Sequence, residues 1–415
     1  MASGQQSGTP DASATPSAAD PVSDPVSDDS SPNQRQCVLV EPGRFEWSSS
    51  KVPTPGQGEV LIKPQAVGVC GTDYHAFDGC QNFFVYPRVL GHEIGATVVA
   101  LGPGCEDSGL KKGDKVAVVP YWECGSCVAC RWGKPNCCTS IEVIGVHRDG
   151  AMRGCARAPP LPHIRLSNTP SDCLGCISTF SCSTRALSRS PRRSYLCAPK
   201  GKLVKSATLS HEQLALVETL CIGAHAVYRG AIRKGERALV LGAGPIGLGT
   251  AQFAQAAGAD VAVLDIAPGK LDFIGATLGI PTERRILSTP GDEHAEGTLA
   301  KVLAACGGEL PTAVFDATGN LHSMNGAFSY VAHGGKLVFV GHTKAQLSID
   351  NPLFHSREST RALHARTHAR THARTHAHAH RASIEPQTLH SRESAPPHRT
   401  HTHTIEPQIS SLVRF

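Results

Sequence analysis

Cys124, Cys127, Cys130 and Cys138 stand three, three and eight positions apart, beginning in the run Glu123-Cys124-Gly125-Ser126-Cys127. Four thiolates at that spacing can wrap one tetrahedral Zn²⁺ with no position left open, the ligand set of a structural zinc site. The lobe has few large apolar side chains, so the metal would supply its folding free energy. Cys70, His92 and Glu93 form a second group with fewer thiolates. A thiolate, a neutral imidazole and a carboxylate can hold an ion and leave a position free. Such an ion stays Lewis-acidic enough to bind a substrate oxygen and lower its pKa. Gly68 and Gly71 beside Cys70, and Gly91 before His92, give both ligand segments the look of built turns.

A third constellation is Gly242-Ala243-Gly244-Pro245-Ile246-Gly247. It follows a run at 237–241 that reads as a buried strand, and it opens a helical pattern at 248–257. Gly242, Gly244 and Gly247 allow a tight turn, close approach of a pyrophosphate and close helix–sheet packing. Asp265 ends the next strand, 18 positions after Gly247. There a carboxylate suits a bond to both ribose hydroxyls and repels a 2′-phosphate, which favours NAD over NADP.

The elements that must position these groups follow from periodicity. Strands are expected at 37–40, 59–64, 91–99 and 113–118, which makes a β-rich domain whose loops carry the candidate metal ligands. From Ser206 the pattern turns helical through Leu214, Val217 and Leu220. Strands at 237–241, 260–265, 285–287, 313–316 and 336–340 alternate with helical segments, as in a parallel α/β sheet. Residues 1–34, rich in Ser, Pro, Ala and Asp, cannot bury enough apolar surface to offset their ordering entropy and read as a disordered acidic leader. Residues 154–194 have no sustained period and read as an insertion between Arg153 and Tyr195. Cys173, Cys176 and Cys182 inside it could begin a second metal site but lack a fourth ligand at a suitable spacing. From 359 to 415 the chain is low in complexity: His-Ala-Arg-Thr occurs three times and is followed by His-Ala-His-Ala-His, and later by His-Thr-His-Thr from His401. A CA dinucleotide repeat encodes such an alternation, so the segment reads as a translated repeat. A His-rich metal-binding tail is the alternative.

A chain of 415 residues suits two or three domains, and its net charge of +5 singles out no partner. Nothing in it points to nucleic acid. No apolar run is long enough to span a membrane, and the first residues lack the basic and apolar regions of a secretory signal. Sixteen cysteines could suggest secretion, but the zinc spacing of four of them and the absent signal favour a reducing compartment and thus the cytoplasm.

Taken in order, Gly68-Val69-Cys70-Gly71-Thr72-Asp73-Tyr74-His75, Gly91-His92-Glu93, the four-cysteine lobe and Gly242-Ala243-Gly244-Pro245-Ile246-Gly247 resemble the zinc-dependent medium-chain alcohol dehydrogenases. The resemblance covers about 36–153 and 195–358. It implies a GroES-like β-rich catalytic domain at 35–218, with 154–194 inserted, and a Rossmann NAD-binding domain at 219–358. It also implies two zinc ions per chain, NAD, a small-molecule alcohol substrate and a homo-oligomer, dimer or tetramer. Cys70 and His92 match the family's first two catalytic ligands, and either Glu93 or Glu218 the third. Asp73 matches the carboxylate that orients the zinc-bound histidine, and Thr72 and His75 the proton relay. Lys270 matches a position that supports the ribose, and Val340 and Gly341 the place where nicotinamide is held. Glu218, the segment 222–227 and the segment 351–358 look most like the branch that oxidises secondary hydroxyls of polyols and sugar acids. Where the family runs on into a sixth Rossmann strand, the repeat tail stands. The sheet is therefore expected to lack that strand, which leaves a zinc- and nucleotide-binding but inactive protein as the alternative to an enzyme.

Overall fold

The computed structural model describes residues 33–81, 83–153, 194–289 and 296–357, with the backbone alone at 188–189 and 360–363. Residues 1–32, Cys173, Cys176, Cys182 and the tail beyond 363 lie outside the described residues.

The β-rich lobe is built on Glu59–Gly68 and Glu93–Leu101, paired antiparallel. Lys115–Val118 and Leu203–Lys205 extend one side and Leu196–Pro199 the other. Val60, Ile62, Ile94, Ala96 and Val98 turn inward at alternate positions and are almost fully buried, the period of two that marks a sheet face on a core. A second sheet joins Arg44–Lys51, Asn33–Glu41 and Arg88–Val89. The cysteine lobe leaves after Tyr121–Trp122 and is tied back where Glu142–Val143 pairs with that strand.

Both ends of the expected insertion are fixed to one strand, Asn33–Glu41. Arg153 Nη1 donates to Gln36 Oε1 at 2.8 Å, and the Tyr195 N–H donates to Gln34 Oε1 at 2.7 Å. Two residues of a strand span only about 7 Å, so the chain leaves and re-enters at nearly the same place. Loop-closure entropy grows by only about 0.6 kcal/mol per doubling of length. A variant joining Arg153 to Tyr195 through a short Gly-Ser bridge is therefore expected to keep its fold, with a melting temperature within a few degrees of the full chain. A collapse of the thermal transition would show that 154–194 contributes packing.

The helix His211–Gly230 connects the two halves. It starts later than the periodicity suggests, because Ser210 and Gln213 form a reciprocal capping box: Ser210 Oγ accepts from the Gln213 N–H at 3.2 Å, and Gln213 Oε1 accepts from the Ser210 N–H at 2.9 Å. Such a cap contributes about 1 kcal/mol and fixes the helix start. The helix crosses Pro245–Ala256 where a Cβ on Gly223 would stand 2.5 Å from the Gly249 carbonyl carbon. It touches the catalytic sheet where a Cβ on Gly95 would lie 1.9 Å from the His211 oxygen. Those glycines let one helix lie against both lobes.

The second lobe is a parallel sheet in the order Arg285–Leu287, Asp260–Asp265, Arg237–Leu241, Ala313–Asp316, Lys336–Phe339, Thr360–Leu363. Leu239, Val314 and Leu337 pack on one face and Val240, Phe315 and Val338 on the other, so both faces are covered as a parallel sheet requires. The five expected strands are present. The expected loss of the sixth is corrected: Thr360–Leu363 pairs parallel with Lys336–Phe339, Lys336 opposite Thr360 and Phe339 opposite Leu363. Thr-Arg-Ala-Leu stands inside the low-complexity segment but ahead of its first His-Ala-Arg-Thr unit. Its N–H and C=O groups pair with an edge that would otherwise be left open. The strand order reverses between Arg237–Leu241 and Ala313–Asp316, the crevice where doubly wound sheets bind their ligands.

Candidate active site

Two loop segments converge on one buried carboxylate. Asp73 sits on the short helix Gly71–Phe77 and is 3% exposed. Its Oδ2 accepts from the Cys70 N–H at 2.9 Å, and its Oδ1 accepts from the Gly91 N–H at 3.3 Å. His92 Nδ1 faces Oδ1 at 3.7 Å. Asp73 thus pins the segments bearing Cys70 and His92 and sets a carboxylate beside the imidazole, an ion-pair contact without a hydrogen bond to Nδ1. Gly91 is needed at φ +95°, where a Cβ would strike Val67 and Met152.

One donor atom each of Cys70, His92 and Glu93 lie within 4.8 Å of one another. Glu93 fits because position 68 has no side chain: a Cβ on Gly68 would stand 1.9 Å from Glu93 Oε2. The Thr219 hydroxyl donates to Glu93 Oε1 at 2.9 Å. Glu218, its neighbour on the bridging helix, is also buried and accepts from the Tyr121 hydroxyl at 2.6 Å, but it falls outside the compact donor group.

The electrostatics of the cluster fit a cation. Burial, and then the facing Glu218, push Glu93 up to about 7. Burial raises the Cys70 thiol and the Asp73 carboxyl. Burial alone would lower His92, but Asp73, Cys70 and Glu218 outweigh it and hold the imidazole well above its usual value. A half-buried thiol and three buried carboxyl groups thus surround one imidazole. Thiolate, imidazole and carboxylate are the donors a catalytic zinc takes.

In the cysteine lobe one Sγ each of Cys124, Cys127, Cys130 and Cys138 lie within 4.8 Å of one another. Backbone N–H groups point at the sulfurs: Cys127 N–H to Cys124 Sγ at 3.4 Å, Cys124 N–H to Cys138 Sγ at 3.3 Å and Ser140 N–H to Cys138 Sγ at 3.4 Å. Backbone hydrogen bonds bring Cys127 down to about 5 and Cys124 to about 7. Desolvation and the contact with Cys127 send Cys130 up to about 12. Four sulfurs so gathered fit a closed zinc site.

Thr72 and His75 lie on the Gly71–Phe77 helix, each half-buried. Burial lowers the His75 pKa, with Asp78 opposing and Lys344 and His342 adding to the shift, so the ring is held neutral. His342 follows Gly341 at the end of the fifth Rossmann strand, so that strand end and the His75 helix face each other.

At the glycine loop the three glycines have separate reasons. Gly242 adopts φ +93°. A Cβ on Gly247 would stand 1.7 Å from the Gly242 oxygen, which leaves no room for any side chain. A Cβ on Gly244, the residue before Pro245–Ala256, would meet nothing within 4 Å, so the space above that helix N-terminus is open to a phosphate. Asp265 is placed as expected at the end of Asp260–Asp265, but its oxygens are engaged: Oδ2 accepts from the Ala243 N–H at 2.6 Å and Oδ1 from the Ala267 N–H at 2.8 Å. A carboxylate has about four acceptor positions, so capacity remains for ribose hydroxyls. Lys270 lies in the first turn of Pro268–Leu278. Val340 and Gly341 both donate N–H to the Asp316 oxygen, at 2.8 and 2.9 Å, which folds the fifth strand's end over the fourth.

Tyr121 and Thr219 were not legible as site residues. Tyr121 meets a partner 97 positions away, with no local signal. Thr219 adjoins Glu218, and that adjacency was the one hint available.

The family profile described as Alcohol dehydrogenase GroES-like domain matches residues 56–166, and that described as Zinc-binding dehydrogenase matches 245–373. Over 323 residues the chain is 40% identical to L-galactonate-5-dehydrogenase of Escherichia coli (strain K12), 78% of this chain and 80% of that one. The chain belongs to the zinc-dependent medium-chain alcohol dehydrogenases. It is thereby a zinc-binding oxidoreductase of the kind that uses a nicotinamide dinucleotide. L-arabinitol 4-dehydrogenase of Aureobasidium melanogenum is 30% identical over 335 residues, 77% of this chain and 79% of that one. Among solved structures, a short chain alcohol dehydrogenase (rspB) from E. coli CFT073 complexed with cofactor NADH superposes with a TM-score of 0.64 at 23% identity, covering 81% of this chain and 85% of that one. At that identity the likeness concerns the fold. No helix among the described residues is long and apolar enough to cross a membrane.

Proposed function

We propose that the chain oxidises a secondary alcohol of a polyol or sugar acid to a ketone and passes the hydride to NAD. The carrying observation is the compact group of Cys70, His92 and Glu93 with a second carboxylate, Glu218, beside it. The relatives named above, one for a sugar acid and one for a polyol, support that substrate class. Zinc held by Cys70, His92 and one of the two glutamates would supply Lewis acidity, and NAD on the glycine loop would supply the hydride acceptor.

The chain's own groups do the rest. Asp73 holds the two ligand segments in register through the Cys70 and Gly91 N–H groups, and its charge would favour His92 in the orientation a metal needs. Thr72 would take the alcohol proton by hydrogen bond and His75 would pass it toward solvent, which needs an imidazole free to accept. Burial supplies that neutral state. Gly242, Gly244 and Gly247 would seat the pyrophosphate, with Asp265 on the ribose, and Val340 and Gly341 would border the nicotinamide.

The test is NAD reduction by the zinc-loaded full chain with L-galactonate, L-arabinitol, sorbitol and, as controls, primary alcohols. Turnover is expected with the first group and at least tenfold weaker with the controls. A folded protein carrying two zinc ions that turns over none of the first group would be the inactive zinc- and nucleotide-binding protein instead.

A further inference from the structure

Glu93 and Glu218 reach the site from different elements, and each is held by one hydroxyl group. Thr219, next to Glu218 on the bridging helix, donates to Glu93 at 2.9 Å. Tyr121, on the strand that leads into the cysteine lobe, donates to Glu218 at 2.6 Å. Both glutamates and Tyr121 are buried. Yet the two carboxylates are not equivalent: Glu93 belongs to the compact donor group with Cys70 and His92, and Glu218 does not.

We propose that Tyr121 is a positioning residue that holds Glu218 back as a reserve carboxylate and so decides which glutamate completes the metal's coordination. The proposal rests on reading Cys70, His92 and Glu93 as a zinc site. A buried carboxylate oxygen that loses its donor must find another partner or stay unsatisfied. Glu218 lies close enough to act electrostatically on Glu93 and His92, so a cation bound there would be the strongest partner it could find. With the phenol in place, Oε1 of Glu218 is engaged, and a position on the bound metal would be left for substrate. Without it, Glu218 would be free to close on the metal and take that position or the place of Glu93. Tyr121 suits a clean test, because its ring packs in an apolar cluster with Val119, Val143 and Val146. Phenylalanine keeps that packing and removes only the hydroxyl.

The experiment uses the full chain with cobalt(II) in place of zinc, since the visible bands of cobalt shift when one of its ligands is exchanged for another. Tyr121→Phe is expected to shift those bands and to make the more labile metal leave about tenfold more slowly, the scale on which groups around a metal ligand act. Adding Glu218→Gln to Tyr121→Phe should restore the unmodified spectrum, because the neutral amide competes poorly for the ion. Unchanged bands and unchanged metal release in folded Tyr121→Phe would overturn the proposal and leave the zinc site standing. Glu218→Gln alone gives a second arm that does not depend on Tyr121→Phe folding: its spectrum should match the unmodified protein. A shifted spectrum there means that Glu218 is already a ligand, and the proposal falls. If the unmodified chain takes up one metal only, in the cysteine lobe, the zinc reading fails and the proposal with it.

Discussion

Cys127→Ser is expected to leave a chain that does not hold its fold, and Cys70→Ser a folded chain with one zinc fewer and almost no activity. The two cysteines differ in what surrounds them. Cys127 belongs to a lobe whose Val128 and Trp132 are exposed and whose helix Val128–Arg131 buries none of its residues. Its order comes from four sulfurs and the N–H groups aimed at them. Binding of a structural zinc by such lobes is worth about 10–16 kcal/mol at neutral pH, comparable with the stability of a whole domain. Loss of one thiolate gives up much of that. Cys70, by contrast, heads a segment fixed by Asp73 and backed by a sheet whose core is complete without metal. Its removal should therefore leave the thermal transition in place. Several kcal/mol of charge stabilisation would go with the ion, so the rate should fall about a thousandfold or more. Zinc content by elemental analysis, read beside circular dichroism, separates the cases. A folded unmodified protein without zinc ends this reading.

Much of this architecture is local in sequence and could be read there. Ligands three apart in the cysteine lobe, glycines beside Cys70 and before His92, and a glycine loop between a strand and a helix each carry their signal within ten residues. The same holds for the five strands of the parallel sheet, whose apolar runs end where the described strands end to within a residue. Long-range partners could not be read. Tyr121 with Glu218, Thr219 with Glu93, and Gly68 making room for Glu93 depend on how separate elements meet. The start of the bridging helix was misplaced because the apolar period runs into the Ser210 cap without a break. The sixth strand was missed for another reason. Four residues, Thr-Arg-Ala-Leu, carry no period of their own beside a repeat, and only the waiting edge of Lys336–Phe339 gives them a structure.

Asp265 should make the unmodified chain bind NAD more tightly than NADP, and Asp265→Ser should narrow that gap from both sides. A carboxylate at the end of the second Rossmann strand accepts from the ribose hydroxyls, a charged hydrogen bond worth about 1.5–3 kcal/mol. NAD affinity should therefore drop about ten- to a hundredfold in the serine variant. The same charge repels a 2′-phosphate, so NADP affinity should rise when it is gone. The hydrogen bonds at Asp265 add a second consequence. Its oxygens also hold the N–H groups of Ala243, inside the glycine loop, and of Ala267. Serine is too short to keep both, so the loop loosens and part of the loss should fall on both dinucleotides alike. Asp265→Asn separates the two effects. It keeps one oxygen for a backbone N–H and most of the side chain's shape, while the negative charge disappears. Relief of repulsion toward NADP should thus appear in both variants, and the shared loss should be larger in the serine variant than in the asparagine one. Equal affinities of the unmodified protein for the two dinucleotides would mean that Asp265 serves the loop and does not face the ribose.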